Sequence, residues 1–298
     1  MTAGTIIRSM RPPFLLLTLS CCALAFSAAA ASGHMQEPVL MLPILLLALF
    51  AHISVNILNE YLDFNSGLDL TTIRTPFSGG SGALPEDPES SRAVMLVALF
   101  SLLITAGLGL YLSLQLGLHL LLPGLLGITI IVAYTRWINR LPWLCLIAPG
   151  LGFGPLMVGV SYVALSEPMD LPVFLLTLIP FFLVNNLLLL NQYPDIEADR
   201  AAGRNHIPIR YGITVSNLIF LAFLLAAFSL VVVLVVLRFL PWLSLIALLP
   251  LLPGLYAYLG AIRYRQEIGQ QPKFMAANVV TALLTPFLIA LSLLVDLA

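Results

Sequence analysis

The sequence predicts an all-α, polytopic membrane protein with about nine transmembrane helices in a single domain, residues 1–298. Three observations predict it. Of the residues, 60% are hydrophobic and only 9% charged, with a mean hydropathy of +1.03, and a soluble chain of this length needs far more charge to cover its surface. Apolar segments of about 20 residues, the length that crosses roughly 30 Å of hydrocarbon, recur along the whole chain. The basic residues fall almost entirely on one side of those segments.

The segments lie near residues 13–31, 39–58, 93–114, 116–134, 142–165, 171–191, 213–237, 241–262 and 274–295. Prolines inside them, such as Pro123, Pro155, Pro180 and Pro286, are tolerated in membrane helices because neighbours re-satisfy the freed backbone groups. The first segment follows a basic start and ends in small residues, as a cleaved leader does, but its apolar run is longer than the ~7–15 residues of a leader core. No alternation of β-barrel type is visible. With the N-terminus in the cytoplasm, Arg238 alone of the 13 Lys and Arg faces the far side, which sets an N-in, C-out orientation. The three cysteines sit in apolar segments without a CxxC pair and read as packing residues, as do His34, His52 and His119; His206, beside Arg204 in a polar loop, is a weak site candidate.

Against this background two polar clusters stand out, both on the cytoplasmic side. The first, NILNEYLDFNSGLDL, ends the second span. Asn59 and Asp63 stand four apart on one helical face, Asn56 extends that face, and Gly67 is placed to stop the helix before Asp69. The second, NQYPDIEADRAAGRNHIPIR, ends the sixth span. Asn191, Asp195 and Asp199 repeat at intervals of four, with Pro194 predicting a break. The repeated Asn-x3-Asp, four spans apart, suggests two related halves. Solvated loop charges are the plain alternative for either cluster alone. Both together offer hard oxygen donors suited to Mg²⁺, which is commonly held by carboxylates plus substrate phosphates. Arg74, Arg200 and Arg204 are placed to pair with phosphate oxygens. An oily cavity above such a clamp suits an isoprenoid tail, so the residues point to a membrane enzyme for a lipid diphosphate. A secondary transporter would place its ionisable groups near the midplane. A phosphotransferase for nucleotide-activated alcohols should show a tight Asp-x2-Asp-Gly run, which the sequence lacks.

At these residues the sequence resembles the UbiA superfamily of intramembrane aromatic prenyltransferases. Its first signature appears as Asn59-Glu60-Tyr61-Leu62-Asp63 with Asp69, its second as Asp195-x3-Asp199 followed by RAAGR and IPIRYG. RPPFLLLTLS, NEYLDFNSGLD and YTRWINR with PGLGFGPLMVGVSYV are similar to the branch that prenylates 1,4-dihydroxy-2-naphthoate in menaquinone synthesis. The resemblance implies nine helices around a central cavity, a retained first helix, and Mg²⁺-dependent transfer of a prenyl group from a polyprenyl diphosphate to a small aromatic acceptor. It implies that Asn59, Asp63, Asp69, Asp195 and Asp199 hold Mg²⁺, with Asp63, Asp195 and Asp199 catalytic. Substrate contacts fall to Asn56, Arg74, Tyr134, Arg136, Arg140, Asn191, Arg200 and Arg204. Glu60 replaces the usual second-position aspartate, and its longer arm either reaches a metal through water or leaves the shell. NRLPWLC lacks the acid of the naphthoate branch's Arg-Gly-Leu-Gly-Glu, which leaves the acceptor open. Thr71–Pro88, rich in Gly, Ser and Pro, reads either as a mobile lid over the site, the preferred reading, or as a plain flexible connection. A bacterial inner membrane with a cytoplasmic active site is expected, with no nucleic-acid partner.

Topology is directly testable. Reporter fusions after Asp199 and at the C-terminus are expected to report cytoplasm and far side respectively; a cytoplasmic C-terminal reporter would break the nine-span count.

Overall fold

The computed structural model describes residues 3–35, 37–166 and 168–297; Ala298, the end point of the C-out expectation, lies outside them. Among the described residues there is no strand. Nine apolar helices follow the expected segments: α1 (Pro12–Ala31), α2 (Met41–Asn65), α3 (Ser91–Leu116), α4 (Leu118–Ala133), α5 (Pro142–Leu165), α6 (Leu171–Asn191), α7 (Ile207–Val236), α8 (Trp242–Gln270) and α9 (Pro272–Leu297). Eight are long and apolar enough to cross a membrane, and α4 is shorter. A short helix, Ala3–Ser9, precedes α1.

Burial divides the helices into two groups. The most apolar stretch of α6 is 67% buried, against 28% for those of α2 and α3. α6 packs against α5, α7 and α9, while α1 packs against α9 and the middle of α5. One large core, with Leu24, Leu176, Ile179, Phe220 and Ile289 fully enclosed, ties these elements together. α2 and α3 pair with each other around Ile57, Val94 and Ala98, joined by Ile6 and Met10 of the N-terminal segment. The seam between the large block and this wing is where the cavity lies.

The close contact of α5 with α6 has a local cause. Pro149 and Pro155 each remove a backbone donor, and the helix widens to a π-helical stretch, Gly152–Gly159, that begins three residues after Pro149 and contains Pro155. Gly150 and Gly154 then let the two backbones touch: a Cβ on either would collide with the carbonyl oxygen of Phe181 or Thr177. The Gly150 amide also donates to Asn185 Oδ1 at 2.6 Å.

Gly154→Val is therefore expected to destabilise the folded protein by about 1–3 kcal/mol, the usual cost of overpacking. Gly124→Val, on α4 with nothing within 4 Å of the added carbon, should leave the melting temperature in detergent near the parent value. Equal losses for both would refute the close-packing assignment.

Candidate active site

The site is assembled where two helices stop. α2 carries Asn59 and Asp63 on its last turns, ends at Asn65, and turns at Gly67 (φ 80°) into the short helix Leu68–Thr71, which carries Asp69. α6 ends at Asn191; the chain turns through Pro194 and restarts as Ile196–Ala201, which carries Asp199. The break at Pro194 thus divides what the spacing of Asn191, Asp195 and Asp199 presents as one line. Both ends open on a polar pocket of about 110 Å³, lined among others by Asn59, Asp63, Asp69, Tyr134, Asn191, Asp195, Asp199 and Arg204.

Arg204 is the hub of this pocket. Its guanidinium reaches Asp63 on one side and Asp199, at 2.9 Å, on the other. Asn59 Nδ2 donates to Asp63 Oδ2 at 3.0 Å and to Thr135 Oγ1 at 3.2 Å. His206 Nε2 lies 2.9 Å from Asp199 Oδ2. Asp63 and Asp199 hold Arg204 protonated well above its ordinary range despite burial, which opposes its charge. Four carboxylates line the pocket against two guanidinium groups, Arg11 and Arg204. Burial, then the charges of Asp63 and Glu60, push the Asp69 carboxyl up to about 7; burial, then Asp199, does the same for Asp195. Asp69 Oδ2, Asp195 Oδ1 and Asn139 Oδ1 are buried without a hydrogen-bond partner. Buried acceptors left this way are costly.

These features fit a hard divalent cation: oxygen donors, excess negative charge and unpartnered oxygens converge in one pocket. As they stand, no three His, Cys, Asp or Glu side chains among the described residues close up around an ion position. Arg204 fills the gap between Asp63 and Asp199, and the Gly79 amide occupies Asp195 Oδ2 at 3.1 Å.

The pocket continues into an apolar cavity of about 510 Å³ between α2, α3, α4 and α5. Arg11, Asn59, Tyr134 and Leu188 line both and form the junction. Asn56 lines the apolar cavity and donates to the Met10 carbonyl at 3.0 Å. His52, one turn further along α2, is held by Thr18 at 2.8 Å and meets Phe153 edge-on.

Four expected substrate contacts are not brought to the pocket. Arg200 follows Asp199 by one residue, so it leaves the helix about 100° away from it; it is exposed and paired with Glu197 at 3.0 Å. Arg74 turns outward to Glu86 at 3.5 Å. Arg136 lies 5.7 Å over the Trp137 ring, and both Arg136 and Arg140 are exposed. In their stretch it is Tyr134 and Asn139 that face the pocket. Residues that sequence reading did not assign to the site are Arg11, Asn139 and Gln192, with Ser78, Gly79 and Gly80 of the overlying loop. None belongs to a repeated pattern, and Arg11 carries only the signal of a charge at a span end.

The chain is similar to the model of the UbiA prenyltransferase family over residues 18–293. It is 29% identical over 177 residues to the 1,4-dihydroxy-2-naphthoate octaprenyltransferase of Bacillus subtilis (strain 168), a match covering 58% of this chain and 55% of that protein. The chain thus aligns with only about half the length of that relative. Among solved structures it resembles a UbiA homolog from Aeropyrum pernix K1, at 18% identity over 94% of this chain and 98% of that one, with a TM-score of 0.67. A UbiA homolog from Archaeoglobus fulgidus bound to GPP and Mg²⁺ gives 13% identity, 96% and 99% coverage, and a TM-score of 0.62. At these identities the structural likeness establishes the fold alone.

Removing one partner of a buried ion pair leaves the other charge uncompensated, at about 3–5 kcal/mol. Arg204→Met is expected to lower the melting temperature of the ligand-free protein, and Asp63→Asn in the Arg204→Met background to recover part of the loss. A strictly additive pair in thermal unfolding would mean that the two side chains do not share one interaction.

Proposed function

The chain belongs to the UbiA prenyltransferase family, and from that premise we propose that it transfers the prenyl group of a polyprenyl diphosphate to a small aromatic acceptor, with Mg²⁺ as cofactor. The observation that carries the reading is the junction at Asn59 and Tyr134. There a polar pocket with excess carboxylate opens directly into an apolar cavity of about 510 Å³. That pairing matches a substrate with a charged head and an isoprenoid tail. Along α2, His52, Asn56, Asn59 and Asp63 span roughly 16 Å at about 1.5 Å per residue, so one helix accompanies the substrate from tail to head.

In this reading Asp63, Asp69, Asp195 and Asp199, with the Asn59 amide, would hold the metal. Bound Mg²⁺ would supply Lewis-acid charge for the departing diphosphate. Arg204 offers phosphate oxygens a guanidinium already centred between the two acidic motifs. The apolar lining excludes water from C1 of the tail as its C–O bond breaks and the electron pair goes to diphosphate. The acceptor ring bonds to C1 and then loses its displaced proton. Tyr134, at the junction, and Asn139, Asn191 and Gln192, which line the polar pocket, would meet the acceptor.

A quinone precursor such as 1,4-dihydroxy-2-naphthoate is our proposed acceptor, supported by the Bacillus subtilis relative and the NEYLDFNSGLD motif. We place the enzyme in a bacterial inner membrane with its polar pocket on the cytoplasmic side.

The test is an assay of purified protein in detergent with Mg²⁺, a polyprenyl diphosphate and a panel of aromatic acceptors. A prenylated ring and equimolar diphosphate are expected. Asp63→Asn and Asp195→Asn should each lose most turnover while extracting like the parent, and the double variant should be little worse than either alone. Arg204→Ala should raise KM for the diphosphate more than KM for the acceptor. Parental turnover and Mg²⁺ dependence in both aspartate variants would remove the metal clamp from the mechanism.

A further inference from the structure

We infer that Glu60 is a positioning residue: its carboxylate holds the glycine-rich strap over the polar pocket and takes no part in metal binding. The inference rests on the proposed function only for what the pocket binds; the strap contact stands on the geometry.

Glu60 is fully buried, yet it does not line the pocket. Its oxygens are engaged elsewhere. The Ser81 amide donates to Oε2 at 3.0 Å, the Ser81 hydroxyl donates to Oε1, and Arg11 Nη2 lies 3.2 Å from Oε2. This contrasts with Asp69 and Asp195, each of which keeps an unpartnered oxygen in the pocket. A carboxylate saturated by donors that hold a loop has a structural task, and one with an open oxygen facing a cavity has room for a ligand.

The consequence of that contact lies two residues upstream. With Ser81 pinned, and its carbonyl oxygen accepting from Arg8 Nη2 at 3.1 Å, the Gly79 amide falls on Asp195 Oδ2. Gly80 rests against Asp69: a Cβ there would stand 2.8 Å from Oδ1. Gly79, Gly80 and Gly82 have φ of 77°, 76° and 73°, a conformation that side chains disfavour and glycine permits. Such a strap is entropically costly to order, so its register depends on anchors. Glu60, on a helix of the first half, thereby fixes a backbone donor on a carboxylate of the second half.

The experiment is hydrogen exchange, read by mass spectrometry on the full-length protein in detergent without substrate, with Mg²⁺ titrations of activity in parallel. Glu60→Ala is expected to speed exchange in residues 72–82 by about tenfold or more, the scale of losing hydrogen bonds to a charged group. Ser81→Ala, which removes one hydroxyl from an exchange-accessible strap, should speed it by about threefold. The double variant should exchange close to Glu60→Ala alone, since the Ser81 hydroxyl contact with Glu60 is already lost there; the Ala83 amide, which also donates to Ser81 Oγ at 3.1 Å, lies outside the segment read. Half-saturating Mg²⁺ should stay within about twofold of the parent in each. Parental strap exchange in Ser81→Ala and Glu60→Ala overturns the inference, as does a Mg²⁺ requirement raised by about tenfold in Glu60→Ala alone. If Glu60→Ala loosens the membrane helices too, Ser81→Ala decides: exchange faster in the strap only supports the inference, and parental exchange overturns it. Because exchange needs no turnover, an inactive protein with a Glu60-dependent strap would count against the proposed reaction and not against the latch.

Discussion

One guanidinium governs the geometry of the polar face. Arg204 joins Asp63, at the end of α2, to Asp199, beyond the end of α6, and so links the wing to the main helix block at the polar face. Away from bulk water this attraction is weakly screened, and the burial that strengthens it also makes each partner costly alone. Around the bridge everything else is arranged by proximity: His206 steadies Asp199, Asn59 steadies Asp63, and the strap reaches in from above. The same bridge stands between Asp63 and Asp199 in a pocket rich in carboxylate oxygens.

Below the bridge the seam between the two blocks continues as an apolar channel, and the polarity changes over one or two helical turns. Asn59 and Tyr134 stand on the boundary, with faces in both compartments. A sharp boundary of this kind selects amphiphiles: a wholly apolar molecule leaves the carboxylates unsatisfied, and a wholly polar one leaves the channel wet. His52, deeper in the channel, is satisfied by the buried Thr18, which leaves the lining chiefly hydrocarbon.

Much of this was legible in the sequence, because membrane helices are dictated by length and hydropathy. The spans, the helix stop at Gly67 and the break at Pro194 all follow from local chemistry, and the acidic motifs mark the ends that meet in the pocket. What was not legible is direction around a helix and contact across the fold. Arg200 sits beside Asp199 in sequence and on another face in space. Arg74 is claimed by Glu86, a pairing between loop positions with no periodicity. Asn139 and Arg11 enter the pocket only because the α4–α5 connection and the start of α1 fold over it. The role of Glu60 could be posed as a question from its place in the motif, but its partner, Ser81, lies 21 residues away in a loop without regular structure.

The shortness of α4 bears on the bilayer itself. No residue from Leu121 to Ala133 is buried, and one face of this helix lines the apolar channel, which leaves the other face to a surrounding bilayer. Its apolar length, roughly 24 Å at about 1.5 Å per residue, falls short of a hydrocarbon core of about 30 Å. Such a hydrophobic mismatch is relieved by tilting neighbours, thinning the bilayer or drawing flanking side chains toward the interface, at a fraction of a kcal/mol per ångström. Here the relief acts on a channel wall one helix thick. The thickness of the surrounding membrane would thereby be coupled to the shape of the apolar channel, and lipid composition would become a variable of the protein's own interior.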